Sequence, residues 1–376
     1  MYAYLDNSAT TPVCSEAQLA VQQAIQVTWG NPSSRHALGV QAEELLESAR
    51  AAVAQKLSAR ADELIFTSGG TEANNLAVLG AAAANRRKGN RIVTSATEHP
   101  SVYEAANHLS SLGYDVVFLP VDKQGKISEE ELQRAITPAT ILVSVMAVNN
   151  ETGTIQPVEK IKRIIHAKRS GALLHVDAVQ AFGKVPVRPA AMDADLLTVS
   201  SHKIHGPKGA GALYIRKGIS IFPRSYGGSQ EGKIRPGTEC LPAIAGFGAA
   251  ADNLPDLDEA LVRVKELRDF LLAGLEGLGD IVVNSPPDGL PYIVSFSVLG
   301  QKSEPMLNFL SQRGVYVSSG SACSKGKPSR ILKSMRLPPE VLAGALRVSF
   351  SHTSTREDVK KLLAGITEIK RTMYGK

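Results

Sequence analysis

Only three cysteines, Cys14, Cys240 and Cys323, occur among 376 residues, odd in number and far apart. That scarcity excludes a disulfide framework and a zinc cluster built on paired cysteines, and it fits a reducing, cytoplasmic setting. Long apolar runs are missing too: the longest, Leu76 to Ala84, falls far short of the ~20 residues that a membrane helix needs. The start, Met1-Tyr2-Ala3-Tyr4-Leu5-Asp6, lacks a basic region followed by an apolar block, so no secretion signal is expected there. There is no internal repeat and no low-complexity tract. Basic residues outnumber acidic ones by 42 to 36, a formal charge of +6, yet the two signs are interspersed. A solvated surface is the expectation, with no nucleic-acid footprint.

What is present describes an ordinary globular chain. The hydrophobic fraction is 43% and the charged fraction 21%, and the length exceeds the roughly 250 to 300 residues at which one core splits. Two domains are expected. Apolar positions recur at helical spacing from Glu43 to Leu57, from Thr71 to Ala84 and from Leu257 to Leu275. Between the helical stretches lie short apolar runs: 63–67, 91–95, 114–119, 140–145, 172–176, 196–199 and 211–215. Strands alternating with helices predict an α/β fold with a mainly parallel sheet, covered on both faces, whose ligands bind beyond the carboxyl ends of the strands. After Gly248 the texture changes, which places a large domain at 13–252 and a smaller α+β domain at 253–376, joined by the N-terminal segment 1–12.

Three positions fall where predicted strands end. Asp177 follows Leu173-Leu174-His175-Val176, Lys203 follows Leu196 to His202, and Gly69-Gly70-Thr71 follows Leu64-Ile65-Phe66. A lysine at such a rim loses its proton more readily than a surface lysine, and only the neutral amine attacks an aldehyde. A carboxylate at Asp177 suits a pyridine-type electron sink, because it keeps the ring nitrogen protonated. Gln180 is spaced to donate to that ring's phenolic oxygen. The glycine turn, running into a helix, suits a phosphate, with Ser200 and His202 as further donors. His99, just after the strand 92–94, offers a flat ring and nitrogens that exchange protons near neutral pH. Cys323 lies in Ser318-Ser319-Gly320-Ser321-Ala322-Cys323-Ser324-Lys325, a small-residue loop whose lysines favour the nucleophilic thiolate. Cys14 and Cys240 lack that setting.

Taken in order, Tyr4 to Pro12, Gly30 to His36, Phe66-Thr67-Ser68-Gly69-Gly70-Thr71-Glu72-Ala73-Asn74-Asn75, Val148 to Gly153, the Lys203 segment, Arg235-Pro236-Gly237-Thr238 and Ser318 to Cys323 resemble the NifS/IscS type of cysteine desulfurase. The resemblance runs from Tyr4 to about Arg347. It implies a fold-type-I pyridoxal 5'-phosphate enzyme, a homodimer, that takes sulfur from L-cysteine, releases L-alanine and leaves a persulfide on Cys323. Delivery to a sulfur-acceptor protein, for iron-sulfur cluster assembly or tRNA thiolation, would follow. Lys203 would anchor the cofactor, Asp177 would face its ring nitrogen, and Gln180 and Asn150 would lie near its phenolic oxygen. His99 would stack and move protons. Gly70, Thr71, Ser200 and His202 would hold the phosphate, with Thr238 reaching across from the second subunit. Asn150 and Arg347 would bind substrate, the latter through its carboxylate. No metal is implied. The chain departs from the family after Cys323, where Ser324-Lys325-Gly326-Lys327-Pro328-Ser329 stands in place of a Ser-Leu-Glu-Pro stretch. A selenocysteine lyase or an aminotransferase of the same fold would share Lys203 and Asp177.

Overall fold

The computed structural model describes residues 2–319 and 329–373. The chain opens with β1 (Ala3–Tyr4), α1 (Ser15–Gln26) and α2 (Ala37–Lys56). An alternating series follows: β2 (Leu64–Thr67), α3 (Gly70–Asn85), β3 (Arg91–Ser95), α4 (Pro100–Ser111), β4 (Asp115–Leu119) and α5 (Glu129–Ala135). It continues with β5 (Thr140–Met146), α6 (Val158–Ala167), β6 (Leu173–Asp177), β7 (Leu196–Ser200) and β8 (Gly211–Ile215). Next come α7 (Leu241–Asp252), α8 (Leu257–Glu276), β9 (Ile281–Val283), β10 (Ile293–Val298), α9 (Ser303–Gln312) and β11 (Val315–Tyr316). The last elements are α10 (Arg330–Ser334), α11 (Pro339–Ala343), β12 (Ala345–Ser349) and α12 (Arg356–Met373).

Seven strands form one sheet in the order β2-β8-β7-β6-β5-β3-β4. From β4 to β7 every pairing is parallel, and β8 alone runs against both its neighbours, β7 and β2. All residues of β5, β6 and β7 are buried, which is why these runs read as nearly continuous apolar segments rather than alternating ones. Burying each Leu, Ile or Val there contributes about 1.5–3 kcal/mol. Helix α2 starts earlier than its apolar spacing suggests, because the His36 side chain accepts from Gly39 N and caps it. Helix α7 packs against both α1 and α2. At Gly248 a Cβ would come within 2.6 Å of Ala49 Cα, so only glycine allows that approach of α2 to α7.

A smaller antiparallel sheet has the order β12-β10-β9, and β1 pairs in parallel with β11. The N-terminal segment then runs past β12, where Asp6 bridges to Ser349, and over the Lys203 turn, where Thr11 N donates to His202 O. The edge strand β2 is closed by a buried ion pair. Arg50 donates through both terminal nitrogens to Glu231, and Glu231 also accepts from Phe66 N. Removing one partner of such a pair costs about 3–5 kcal/mol, because a buried charge is left alone. No helix among the described residues is long and apolar enough to cross a membrane.

Candidate functional site

The chain order jumps from β3 out to β4 and back to β5, leaving a crevice at the carboxyl ends of the parallel strands, where ligands of such sheets bind. A cavity of about 650 Å³ lies there. Its wall includes Gly70, Thr71, His99, Asn150, Asp177, Gln180, Ser200, His202, Lys203 and Arg347. Ten of the residues picked from the sequence thus meet at one rim. Thr238 does not: it is exposed, and it does not line this cavity. Cys323 lies outside the described residues. Cys14 and Cys240 are both free thiols.

Most of these side chains owe their place to an element end, and Arg347 to the middle of β12. Lys203 closes the short 3₁₀ turn that follows β7. Its Nζ donates to Ser8 O and, at 2.8 Å, to Ala9 O of the overlying N-terminal segment. Burial, reinforced by the nearby Arg347 charge, lowers its pKa to about 8, against the opposing pull of Asp6 and Asp177. Asp177 ends β6, where its Oδ2 accepts from Asn74 Nδ2 at 2.7 Å and its Oδ1 from Val179 N at 3.0 Å. His99 caps α4. Its Nδ1 lies 2.7 Å from Ser101 Oγ and accepts from Ser101 N at 3.2 Å, and burial lowers its pKa. His202, 3.2 Å from Thr10 Oγ1 through Nδ1, is pushed down to about 4, chiefly by burial and then by Lys203. Arg347, on β12, donates to Asn150 O at 3.0 Å and to Asp6 Oδ1 at 2.6 Å. Gln180 donates to Ser8 O, while its Oε1 accepts from the buried Lys184. A carbonyl oxygen can only accept, so the contact with Ser8 O turns the amide nitrogen of Gln180 toward that cavity-lining residue.

At the phosphate-type end, Gly69 has φ +152°, and α3 begins at Gly70. The turn lies so close to β8 that a Cβ on Gly211 would fall 2.6 Å from Gly69 C. Beside it Ser200 Oγ is buried without a hydrogen-bond partner among the described residues, and so is Asn150 Oδ1 further along the wall. Buried polar atoms are rarely left unpaired. Ser200 Oγ can donate and Asn150 Oδ1 can accept, which matches a ligand that accepts at one end and donates at the other; Ser8 Oγ and Asn74 Oδ1 of the same wall are also without a partner among the described residues.

Sequence reasoning did not pick out Asn74, Ser101, Arg330 or Lys184. Arg330 donates to Ala96 O and Glu98 O and sits 3.8 Å over the Tyr103 ring, lining the cavity from α10. Glu98 is fully buried, and desolvation raises its pKa to about 8. One signal was available for Asn74, an amide at the head of the apolar stretch of α3, where a polar residue facing inward needs partners.

Residues 3–362 match the aminotransferase class-V family, and the chain belongs to it. Within that class its relatives include cysteine desulfurase IscS of Dictyoglomus turgidum, 41% identical over 365 residues, covering 96% of this chain and 92% of that protein. Cysteine desulfurase IscS of Methanosarcina thermophila is 42% identical, covering 97% of this chain and 91% of that protein. Among solved structures, one described as a NifS-like protein superposes with a TM-score of 0.94 at 37% identity, covering 99% of this chain and all of that one. Another, described as SspA in complex with cysteine, superposes with a TM-score of 0.83 at 30% identity, covering 94% of this chain and all of that one.

Proposed function

We propose that this chain is a pyridoxal-phosphate-dependent cysteine desulfurase, working in the cytoplasm as a homodimer. Its substrate is L-cysteine. The reading rests above all on Lys203, a buried amine with its pKa lowered to about 8, in one cavity wall with Asp177, His99 and Arg347. The names of the relatives and the cysteine bound in the SspA structure support it.

The residues fit the cofactor. Ser200 Oγ, unpartnered beside the start of α3, suits a phosphate, together with Gly70, Thr71 and His202. Asn150 and Gln180 suit a phenolic oxygen, and Asp177 a ring nitrogen. Thr238 completes the phosphate site from the second subunit. When bound, the cofactor supplies an aldehyde and an electron-accepting ring. Lys203, available as a neutral amine, would hold it covalently, and its free Nζ would carry protons. His99, in the cavity wall, would flank the ring and assist in proton movement. Arg347 clamps the substrate carboxylate with its planar guanidinium. The thiolate of Cys323 takes the sulfur: the substrate's carbon–sulfur bond breaks, a sulfur–sulfur bond forms, and a proton replaces sulfur on the carbon skeleton, giving L-alanine. Residues 13–252 would carry the cofactor, with 1–12 as the connecting segment. Residues 253–376 would contribute Arg347 and Cys323, and the persulfide would pass to an acceptor protein serving iron-sulfur cluster assembly or tRNA thiolation.

The purified chain, loaded with pyridoxal phosphate and given L-cysteine, should release L-alanine and show a persulfide on Cys323 by mass spectrometry. Cys323→Ala should abolish sulfur release. Sulfur or selenium release that survives this substitution, or borohydride trapping at a lysine other than Lys203, would overturn the assignment.

A further inference from the structure

We infer that Asn74 and Ser101 are positioning residues that fix the neutral His99 ring as one tautomer, its proton on Nε2 and its lone pair on Nδ1. The inference deepens the desulfurase reading by giving His99 a direction of proton transfer.

The argument begins at Asp177, whose carboxylate oxygens accept. The Asn74 atom 2.7 Å from Asp177 Oδ2 must therefore be the amide nitrogen. That nitrogen has a second hydrogen, and Ser101 Oγ lies 2.8 Å away to receive it. With its oxygen already accepting, the Ser101 hydroxyl directs its own hydrogen to His99 Nδ1, 2.7 Å distant. Ser101 N donates to the same ring nitrogen. Two donors converging on Nδ1 leave no place for a proton there, so in the neutral ring it sits on Nε2. Among the described residues Nε2 has no partner, and the ring lines the cavity.

A second observation points the same way. Asn74 Oδ1 is buried with no hydrogen-bond partner among the described residues. Turning the amide over would set that oxygen against the Asp177 carboxylate, a repulsion worse than the orphaned acceptor. The orientation is thus held by Asp177, and a continuous line of hydrogen bonds joins Asp177, Asn74, Ser101 and His99. In its neutral state His99 offers an N–H to the cavity and acts there as a donor. In that tautomer it cannot take a proton on Nε2.

The test uses the full chain, 15N-labelled at histidine, at pH 8, before and after loading with pyridoxal phosphate, with the His99 signals assigned through His99→Gln. Long-range proton–nitrogen spectra should show a protonated Nε2 and a bare Nδ1 in both states. Ser101→Ala and Asn74→Ala should each mix the tautomers. With L-cysteine, Ser101→Ala should lower kcat about tenfold or more while KM stays nearly unchanged, and Ser101→Thr should restore both readouts. A proton on Nδ1 in the parent chain, or variants that keep both tautomer and kcat, would overturn the inference. The cofactor-free spectrum reads the tautomer even in a chain that releases no alanine, so failure of the desulfurase reading is seen separately.

Discussion

Lys203 shows how one residue's chemistry is set by what surrounds it. Its amine is buried beside the Arg347 charge, and together these outweigh the pull of Asp6 and Asp177, so half of it is neutral near pH 8 instead of above 10. Below about 8 the ammonium prevails and cannot attack an aldehyde; above it the amine prevails. Uptake of pyridoxal phosphate by the cofactor-free chain should therefore accelerate from pH 6 upward and level off just above pH 8, as read by growth of the visible absorbance. Continued acceleration to pH 10 would place the amine in an ordinary solvated environment. The sequence pointed to Lys203, Asp177 and His99 because each follows an apolar run, and strand ends are legible from composition. Ser101 was not legible, since a hydroxyl in a helix reads as surface, and Asn74 gave only the signal of an amide at the head of an apolar helix; the approach of α3 to α4 and β6 is what makes them partners. The same holds for Arg330, which reaches Ala96 and Glu98 across a separation in sequence that no local pattern encodes.

Among the elements, the strands of the large sheet were readable almost to the residue, since β5, β6 and β7 are buried on both faces and leave no polar alternation to misread. The reversed direction of β8 was not. A five-residue strand carries no mark of its polarity, which here depends on a connection, 201–210, too short for a crossover helix. That strand presents Gly211 to the Gly69–Gly70 turn with no room for a side chain. Gly211→Ala should therefore push the turn away, costing about 1–3 kcal/mol of stability, and weaken pyridoxal phosphate binding. Thermal unfolding and equilibrium dialysis check the two effects. A variant that binds the cofactor as tightly as the parent would show that the start of α3 is not the phosphate's seat.

On the scale of the whole molecule, the wall lacks a contribution from Thr238, and large apolar side chains stand exposed, among them Trp29 at 65%, Val27 at 62% and Tyr226 at 87%. Both facts accord with the proposed dimer. If Thr238 acts across the interface, Lys203→Ala and Thr238→Asp chains, each inactive alone, should regain cysteine desulfurization when unfolded together and refolded, because a mixed dimer holds one complete site. Absence of recovery in mixed dimers isolated by affinity tags would assign Thr238 to its own subunit or to no site. The hairpin of β7 and β8 has a further bearing on how such a chain diversifies. The Lys203 amine and Gly211, against which the glycine turn sits, belong to a single reversal of the backbone, so neither is adjustable without disturbing the other. Freedom to accept a different amino acid is thereby shifted to the opposite bank of the cleft, where Asn150 and Arg347 enter on separate stretches of chain and meet through the hydrogen bond from Arg347 to Asn150 O.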